Sequence, residues 1–485
     1  MAVDTARNRQ PHSRRMNNSQ PPLSSRREFL KTTGQIAAVS ALAGVSIPFV
    51  HAAPSEEINV ALIGCGGRGA GAAADAMGQS GPPTNLVAMV DVFEHKLKEK
   101  HDALTGRFPK QVKVPDERKF IGFDGYKHAI DCLNKGDVAI FTTPMAFRAV
   151  HFAYAIEKGV NIFMEKPVTA DGPKSRLMLK LNEEAKRKNL KVAVGLNSRH
   201  ARNIQELHKR VQDGDLGDIM FMRGYRLAGP IGSAFSEKYP GPDNNLPGKP
   251  SELLWQLSRF HSFIWASGGC FSDFNIHQID HLRWMKNAIP VKAQAIGGRH
   301  YRGDYVDQNF DSYAVEYIFE DGARMYMDGR CMVGANQMYS SYIHGTKGMA
   351  IGAKSGDCNG PSSIFKGQAP SKSNMLWQSD VASHEAESHF NEWTDLLDAI
   401  RADKPYNEVQ YGVEASVITS MGRMAAHTGQ EITYEEMLNH EHEYCPDADK
   451  LTMESPPPLR SDKDGKYPVP TPGERKGKMW QEWYV

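Results

Sequence analysis

Ile58-Asn59-Val60-Ala61-Leu62-Ile63 runs directly into Gly64-Cys65-Gly66-Gly67-Arg68-Gly69, and this junction decides the fold. The first six residues are apolar and rich in β-branched side chains, as a short buried strand requires. A GxGxxG turn is meaningful only between a strand and a helix, and residues 70–77 have helix-forming composition. In that setting Gly64 allows a tight turn, Gly66 lets the backbone approach a pyrophosphate, and Gly69 lets helix and strand pack closely. The diphosphate would lie at the positive N-terminal end of the helix. A second apolar strand, Leu86-Val87-Ala88-Met89-Val90, ends in Asp91, about 20 residues after Gly69. An acid there accepts hydrogen bonds from ribose hydroxyls and repels a 2′-phosphate, so NAD is the expected cofactor. Arg68 keeps NADP open, because a guanidinium in the turn can pair with either phosphate.

Working outward, strands at 137–141, 160–164 and 192–195 alternate with helices at 147–158 and 174–188. Alternation over residues 56–200 implies a parallel, doubly wound Rossmann-type sheet, with ligands held outside the carboxyl ends of its strands. Two strand ends stand out: Thr143-Pro144, and Glu165-Lys166-Pro167. After a helix at 201–213, strands recur at 220–225, 292–296, 312–319, 324–330 and 340–345. Such a run predicts an α+β domain over 201–435 with a large, mostly antiparallel open sheet. Residues 436–485 read as an extended tail that packs on this subunit or a neighbour.

The N-terminal 53 residues read as an address. Ser25-Arg26-Arg27-Glu28-Phe29-Leu30-Lys31 precedes a mildly apolar stretch at 36–50 and small residues at Ala52-Ala53, and resembles a twin-arginine signal. It implies dealings with the twin-arginine export machinery and a periplasmic or other extracytoplasmic destination. With a net charge of +1 the whole chain lacks the basic excess of a nucleic-acid binder. No apolar run reaches the roughly 20 residues that a stable membrane span needs. Six Cys without a CxxC argue against a disulfide scaffold and a structural zinc site. His440-x-His442-x-x-Cys445 imitates a metal site but offers three ligands without a fourth, and no metal is expected.

Downstream lies Ser267-Gly268-Gly269-Cys270-Phe271-Ser272-Asp273-Phe274-Asn275-Ile276-His277. Asp273 and His277 are four apart, so on a helix they share a face. With the glycine turn and Glu165-Lys166-Pro167, this stretch resembles the glucose–fructose oxidoreductase, inositol dehydrogenase and MocA family (Gfo/Idh/MocA) over residues 56–435. Arg148, Asn275 and Ser267 depart from the usual pattern, which leaves the substrate open. The resemblance implies that Lys166 and His277 act over the nicotinamide. Lys166, with a lowered pKa, would be the base or proton relay, and His277, titrating near neutrality, would share the role. Asp273 would bind a hydroxyl and hold His277. Glu165 would set the loop and contact cofactor ribose, and Pro167 would follow a cis bond. A dimer or tetramer built on the open sheet is also implied.

Arg199 and His200, at a strand end, are candidates for substrate or cofactor binding. Trp255 and His261, with Phe260 and Trp265, are candidates to stack on a sugar, although packing is the commoner role. Residues 229–250, rich in Pro, Gly and Asn, are a candidate lid. The expected activity is hydride transfer from a carbohydrate or cyclitol hydroxyl to a tightly held NAD. A redox-neutral glycoside hydrolase or epimerase, and a non-catalytic sugar-binding relative, are the alternatives.

Overall fold

The computed structural model describes residues 57–237, 239, 250–300, 304–356, 358, 360–380, 387–476 and 479–480. The twin-arginine stretch, the apolar segment after it, half of the candidate lid and residues 481–485 lie outside the described residues.

Strands β1 (Ile58–Ile63), β2 (Thr84–Asp91), β3 (Lys119–Ile121), β4 (Val138–Phe141), β5 (Asn161–Met164) and β6 (Val192–Val194) form a parallel sheet in the order β3-β2-β1-β4-β5-β6. β1, β4, β5 and β6 are buried on both faces, which is why they read as continuous apolar runs rather than alternating ones. The order reverses between β1 and β4. Gly64, Asp91, Thr143 and Glu165 therefore meet around one crevice, at the carboxyl ends of neighbouring strands.

The second sheet has nine strands: β7 (Ile219–Ala228), β8 (Lys292–Gly298), β9 (Ser312–Ile318), β10 (Arg324–Cys331), β11 (Met338–Gly345), β12 (Gly348–Ala353), β13 (Ser363–Lys366), β14 (Met375–Gln378) and β15 (Ile432–Thr433). Their order is β14-β13-β12-β11-β7-β10-β9-β8-β15. β9 and β10 alternate strictly between buried and half-buried positions, so one face packs and the other is open to solvent. The helices Gly269–Lys286 and Val409–Thr428 supply the packing, with Leu282, Met285, Met421 and Met424 in a core shared with Val315, Tyr317 and Met325. The expected antiparallel run has one exception, since β7 and β10 pair in parallel. After β7 the chain crosses over through the helix Gly269–Lys286 and returns by the β8–β9–β10 meander, which places β10 beside β7 in the same direction.

Two segments cross the boundary that composition suggested. The helix Ser388–Arg401 puts Trp393, Leu396 and Leu397 into the core beneath the first sheet, with Trp393 stacked on Phe163 at 4.7 Å. The described part of the tail from Cys445 packs on its own chain. Cys445, Ala448 and Tyr467 share a core with Trp255, Phe263 and Trp265. Tail backbone is bonded to that segment as well, by Gln256 donating to the Leu459 carbonyl (2.7 Å) and by the Ser461 N–H donating to Glu252 (2.7 Å). The Tyr467 hydroxyl donates to the same Glu252 oxygen at 2.8 Å.

Candidate active site

The glycine turn has the clearances that its sequence pattern requires. Gly64 has φ +101°, and a Cβ there would stand 2.8 Å from the Thr143 nitrogen. At Gly69 a Cβ would stand 2.1 Å from the Gly64 carbonyl oxygen, so any larger residue forces helix and strand apart. Gly66 and Gly67 look onto open space, and no side chain caps the helix Gly67–Met77. Its first N–H groups are donors without an intrahelical partner, a cradle that fits a diphosphate. Asp91 fastens the turn by accepting from the Cys65 N–H (2.7 Å) and the Phe93 N–H (2.9 Å), one on each oxygen. Each oxygen keeps a lone pair for another donor. Burial and the Asp91 charge push the Cys65 thiol well up, so it stays a neutral packing group.

A cleft of about 710 Å³ opens beside the turn, lined by Gly64, Gly66, Asp91, Thr143 and Pro144 and by the aromatic rings of Phe93, Phe123, Tyr126 and Phe147. Leu257 and Phe260 reach into it from the segment that the tail packs on. Arg148 is fully buried beneath it and donates to the Phe141 and Thr143 carbonyls, so this departure from the family pattern braces the Thr143-Pro144 turn.

At the end of β5 the Lys166–Pro167 peptide is cis. Lys166 Nζ donates to the Asp273 carbonyl at 2.8 Å and lies 3.4 Å from Asp273 Oδ1. Asp273 sits in the first turns of the helix Gly269–Lys286 and is buried. Burial alone would raise its carboxyl, but Lys166 and His261 outweigh that and bring it down to about 2.

His277 and its expected partner need correction. No hydrogen bond joins His277 to Asp273 among the described residues; the imidazole beside the Asp273 carboxylate is that of His261, with Nε2 3.2 Å from Oδ2. His277 Nδ1 is buried without a hydrogen-bond partner. Burial, with the cations Lys166 and Arg226 nearby, holds its pKa well below the usual range. It is therefore a neutral imidazole rather than a group titrating near pH 7.

Arg68 is corrected too. Its guanidinium meets Glu165 (2.6 Å), Glu392 (3.3 Å) and Asp75 (3.5 Å), so three carboxylates hold the group that was to pair with cofactor phosphate. Glu165 also accepts from the Lys166 N–H at 3.2 Å, and a Cβ at Gly195 would stand 2.8 Å from its carboxyl. Glu165 thus braces the loop, the first of the two roles expected of it.

Arg199 and His200 do not face the crevice as ligands. Arg199 makes a buried two-pronged pair with Asp280 at 2.7 and 2.8 Å. His200 is clamped between Asp395 (2.7 Å) and Glu408 (3.0 Å). Burial opposes its charge, but Glu408 and Asp395 outweigh that and lift its pKa to about 10. Trp255 is core, packed between Tyr239, Phe263 and Tyr467. Among the described residues no three His, Cys, Asp or Glu side chains are placed to share an ion, at His440, His442 and Cys445 or elsewhere.

Residues 58–196 match the oxidoreductase family with an NAD-binding Rossmann fold, and residues 244–351 match the Gfo/Idh/MocA C-terminal domain. The chain belongs to the Gfo/Idh/MocA oxidoreductase family. Inositol 2-dehydrogenase of Rhizobium meliloti is 24% identical over 273 residues, which are 54% of this chain and 66% of that protein. The NAD-dependent scyllo-inositol 2-dehydrogenase of Bacillus subtilis is 26% identical over 189 residues, 39% of this chain and 46% of that one. Neither relative is matched over more than two thirds of its length. The solved myo-inositol 2-dehydrogenase of Lactobacillus plantarum superposes with a TM-score of 0.56 at 21% identity, over 78% of this chain and 99% of that one, and shares the fold. NAD is accordingly the cofactor of this Gfo/Idh/MocA protein, and the open turn at Gly66 and Gly67 fits it.

Some residues of the site carried no signal in the sequence. Glu392 reaches Arg68 from 324 positions away, and Phe123, Tyr126 and Leu257 line the cleft without any motif. The one available hint was Phe260-His261, an aromatic next to an imidazole seven residues before the glycine pair.

Proposed function

We propose that this protein oxidises a secondary hydroxyl of a sugar or cyclitol, with NAD held so that it does not leave between turnovers. The observation that carries the reading is Lys166 Nζ at a strand end, donating to the Asp273 carbonyl at 2.8 Å and lying 3.4 Å from its carboxylate. Oxidising a carbinol removes a hydride from carbon and a proton from oxygen. Bound NAD supplies the hydride acceptor. In its unprotonated form Lys166 takes the hydroxyl proton, and the Asp273 carboxylate neutralises the ammonium that forms. His277, neutral and with Nδ1 unpartnered, offers a hydrogen bond to a substrate oxygen. Inositol dehydrogenases among the relatives support the substrate class.

Asp91 accepts the ribose hydroxyls on the lone pairs its backbone partners leave. Asp91→Ala should weaken NAD by roughly tenfold to a hundredfold, the weight of hydrogen bonds to a charged acceptor, and relax discrimination against NADP. Titrating both cofactors checks this; an unchanged preference ratio removes Asp91 as the ribose contact.

The chain is exported by the twin-arginine route, a reading supported by Arg26-Arg27 and the apolar and small residues behind them. An envelope supplies no nicotinamide pool, so the cofactor must be restored on the enzyme by a second substrate or by return of the hydride. Leu257 and Phe260 over the cleft support retention. The solvent face of the second sheet, with Phe221 and Ile296 exposed, supports a homo-oligomer. The test denatures gel-filtered, exported protein and measures released nucleotide beside turnover on a panel of sugars and cyclitols. About one NAD(H) per subunit with turnover is expected. An empty protein that turns over only with added NAD overturns retention, and no turnover on any member overturns the substrate class.

A further inference from the structure

Asp273 has two oxygens and two neighbours. Oδ1 lies 3.4 Å from Lys166 Nζ, and Oδ2 lies 3.2 Å from His261 Nε2. On the far side of the imidazole, Nδ1 accepts from the Ser233 backbone N–H at 3.2 Å, with the Ser233 hydroxyl at 3.0 Å. A backbone N–H can only donate, so Nδ1 must present its lone pair, and a neutral ring then carries its hydrogen on Nε2, aimed at Oδ2.

The ring has little freedom to turn. Phe260 and Phe274 lie against it with ring centres 3.9 and 5.1 Å away, and a Cβ on Gly232 would stand 2.7 Å from its Cε1. The loop that carries Ser233 is itself stitched down. Ser262 Oγ donates to the Ser233 carbonyl, and the hydroxyls of Ser236 and Ser262 are 2.7 Å apart.

We infer that His261 is a positioning residue for the proton-transfer pair: with its tautomer set by Ser233, it donates Nε2–H to Asp273 Oδ2 and so keeps Oδ1 on Lys166. Without that donor the carboxylate is free to rotate about its Cβ–Cγ bond, and the ammonium formed on Lys166 loses its fixed counter-charge. His261 on this account moves no proton.

The inference rests on Lys166 as proton acceptor, and substitutions at His261 and at Lys166 separate the two. His261→Gln keeps an N–H donor at similar reach and should keep turnover within about threefold of wild type. His261→Phe keeps a flat ring without a donor, and His261→Leu serves if that variant does not fold. Either should lower kcat roughly 10- to 100-fold with KM and bound NAD(H) unchanged. Turnover is assayed with myo-inositol, or with the best member of the panel. Loss in Gln equal to that in Phe would make His261 a proton carrier and overturn the inference. Wild-type kcat in Phe would reduce His261 to packing and overturn it too. Lys166→Ala in parallel isolates the parent reading, because an active Lys166→Ala defeats that reading first. The tautomer is read without substrate, from histidine ¹⁵N shifts assigned by the His261→Gln difference. A protonated Nδ1 at His261 overturns the inference whatever the rates.

Discussion

Lys166→Met lowers turnover by a factor on the order of 10²–10⁴, the usual weight of acid–base catalysis, while the protein keeps its NAD. Methionine matches the length and apolar stem of lysine, so the Pro167 turn and the packing beside Asp273 survive. What disappears is Nζ, the one atom joined to both the carbonyl and the carboxylate of Asp273. Asp273 is then a buried anion that has lost its ammonium partner and keeps the contact with His261. Stopped-flow absorbance of the bound nicotinamide isolates the step: the single-turnover rate must fall with the steady-state rate. Near-wild-type single turnover would remove Lys166 from the chemistry.

Asp280→Ala destabilises the protein by about 3–5 kcal/mol, because removing one partner of a buried ion pair leaves the other charge uncompensated. Arg199 is pinned by both Asp280 oxygens and stacks on Tyr411 at 4.3 Å, which holds the guanidinium in place without solvent to take over. The measurement is the urea midpoint, together with KM for the best substrate at 25 °C. A lowered midpoint with unchanged KM follows from a structural Arg199. A raised KM with an unchanged midpoint would restore Arg199 as a substrate ligand.

The Rossmann half was legible because its signals are local. A β-branched run, three glycines at fixed offsets and an acid at the next strand end occupy residues 58–91, and each has a steric or electrostatic reason to be where it is. Lys166 and Asp273 were legible through short motifs of the same kind. The partner of Asp273 was not. A spacing of four on a helix suggests a shared face, yet the direction of a carboxylate is set by whatever reaches it in space. His261 reaches it from twelve residues upstream, through a stretch with no periodicity. The same limit hid Arg68 with Glu392, Arg199 with Asp280, and His200 with Glu408. Each joins residues far apart in the chain, and a lone Arg or His at a strand end reads as a ligand until its carboxylate is seen. The parallel pairing of β7 with β10 was hidden for a similar reason, since register between distant strands leaves no mark on either one.

The bonds from Leu459, Ser461 and Tyr467 to the segment carrying Leu257 and Phe260 also set an order of events during synthesis. The glycine turn and all six strands of the first sheet are made before residue 200. The fastening residues follow some 260 residues later, a delay of roughly 13–52 s at ribosomal rates of 5–20 residues per second. Through that interval the strands that frame the nucleotide crevice exist, while Trp393, Leu396 and Leu397 beneath them and the tail that fastens Leu257 and Phe260 are still to be made. The segment that lines the crevice through Leu257 and Phe260 is therefore fastened only after residues 459–467 have emerged.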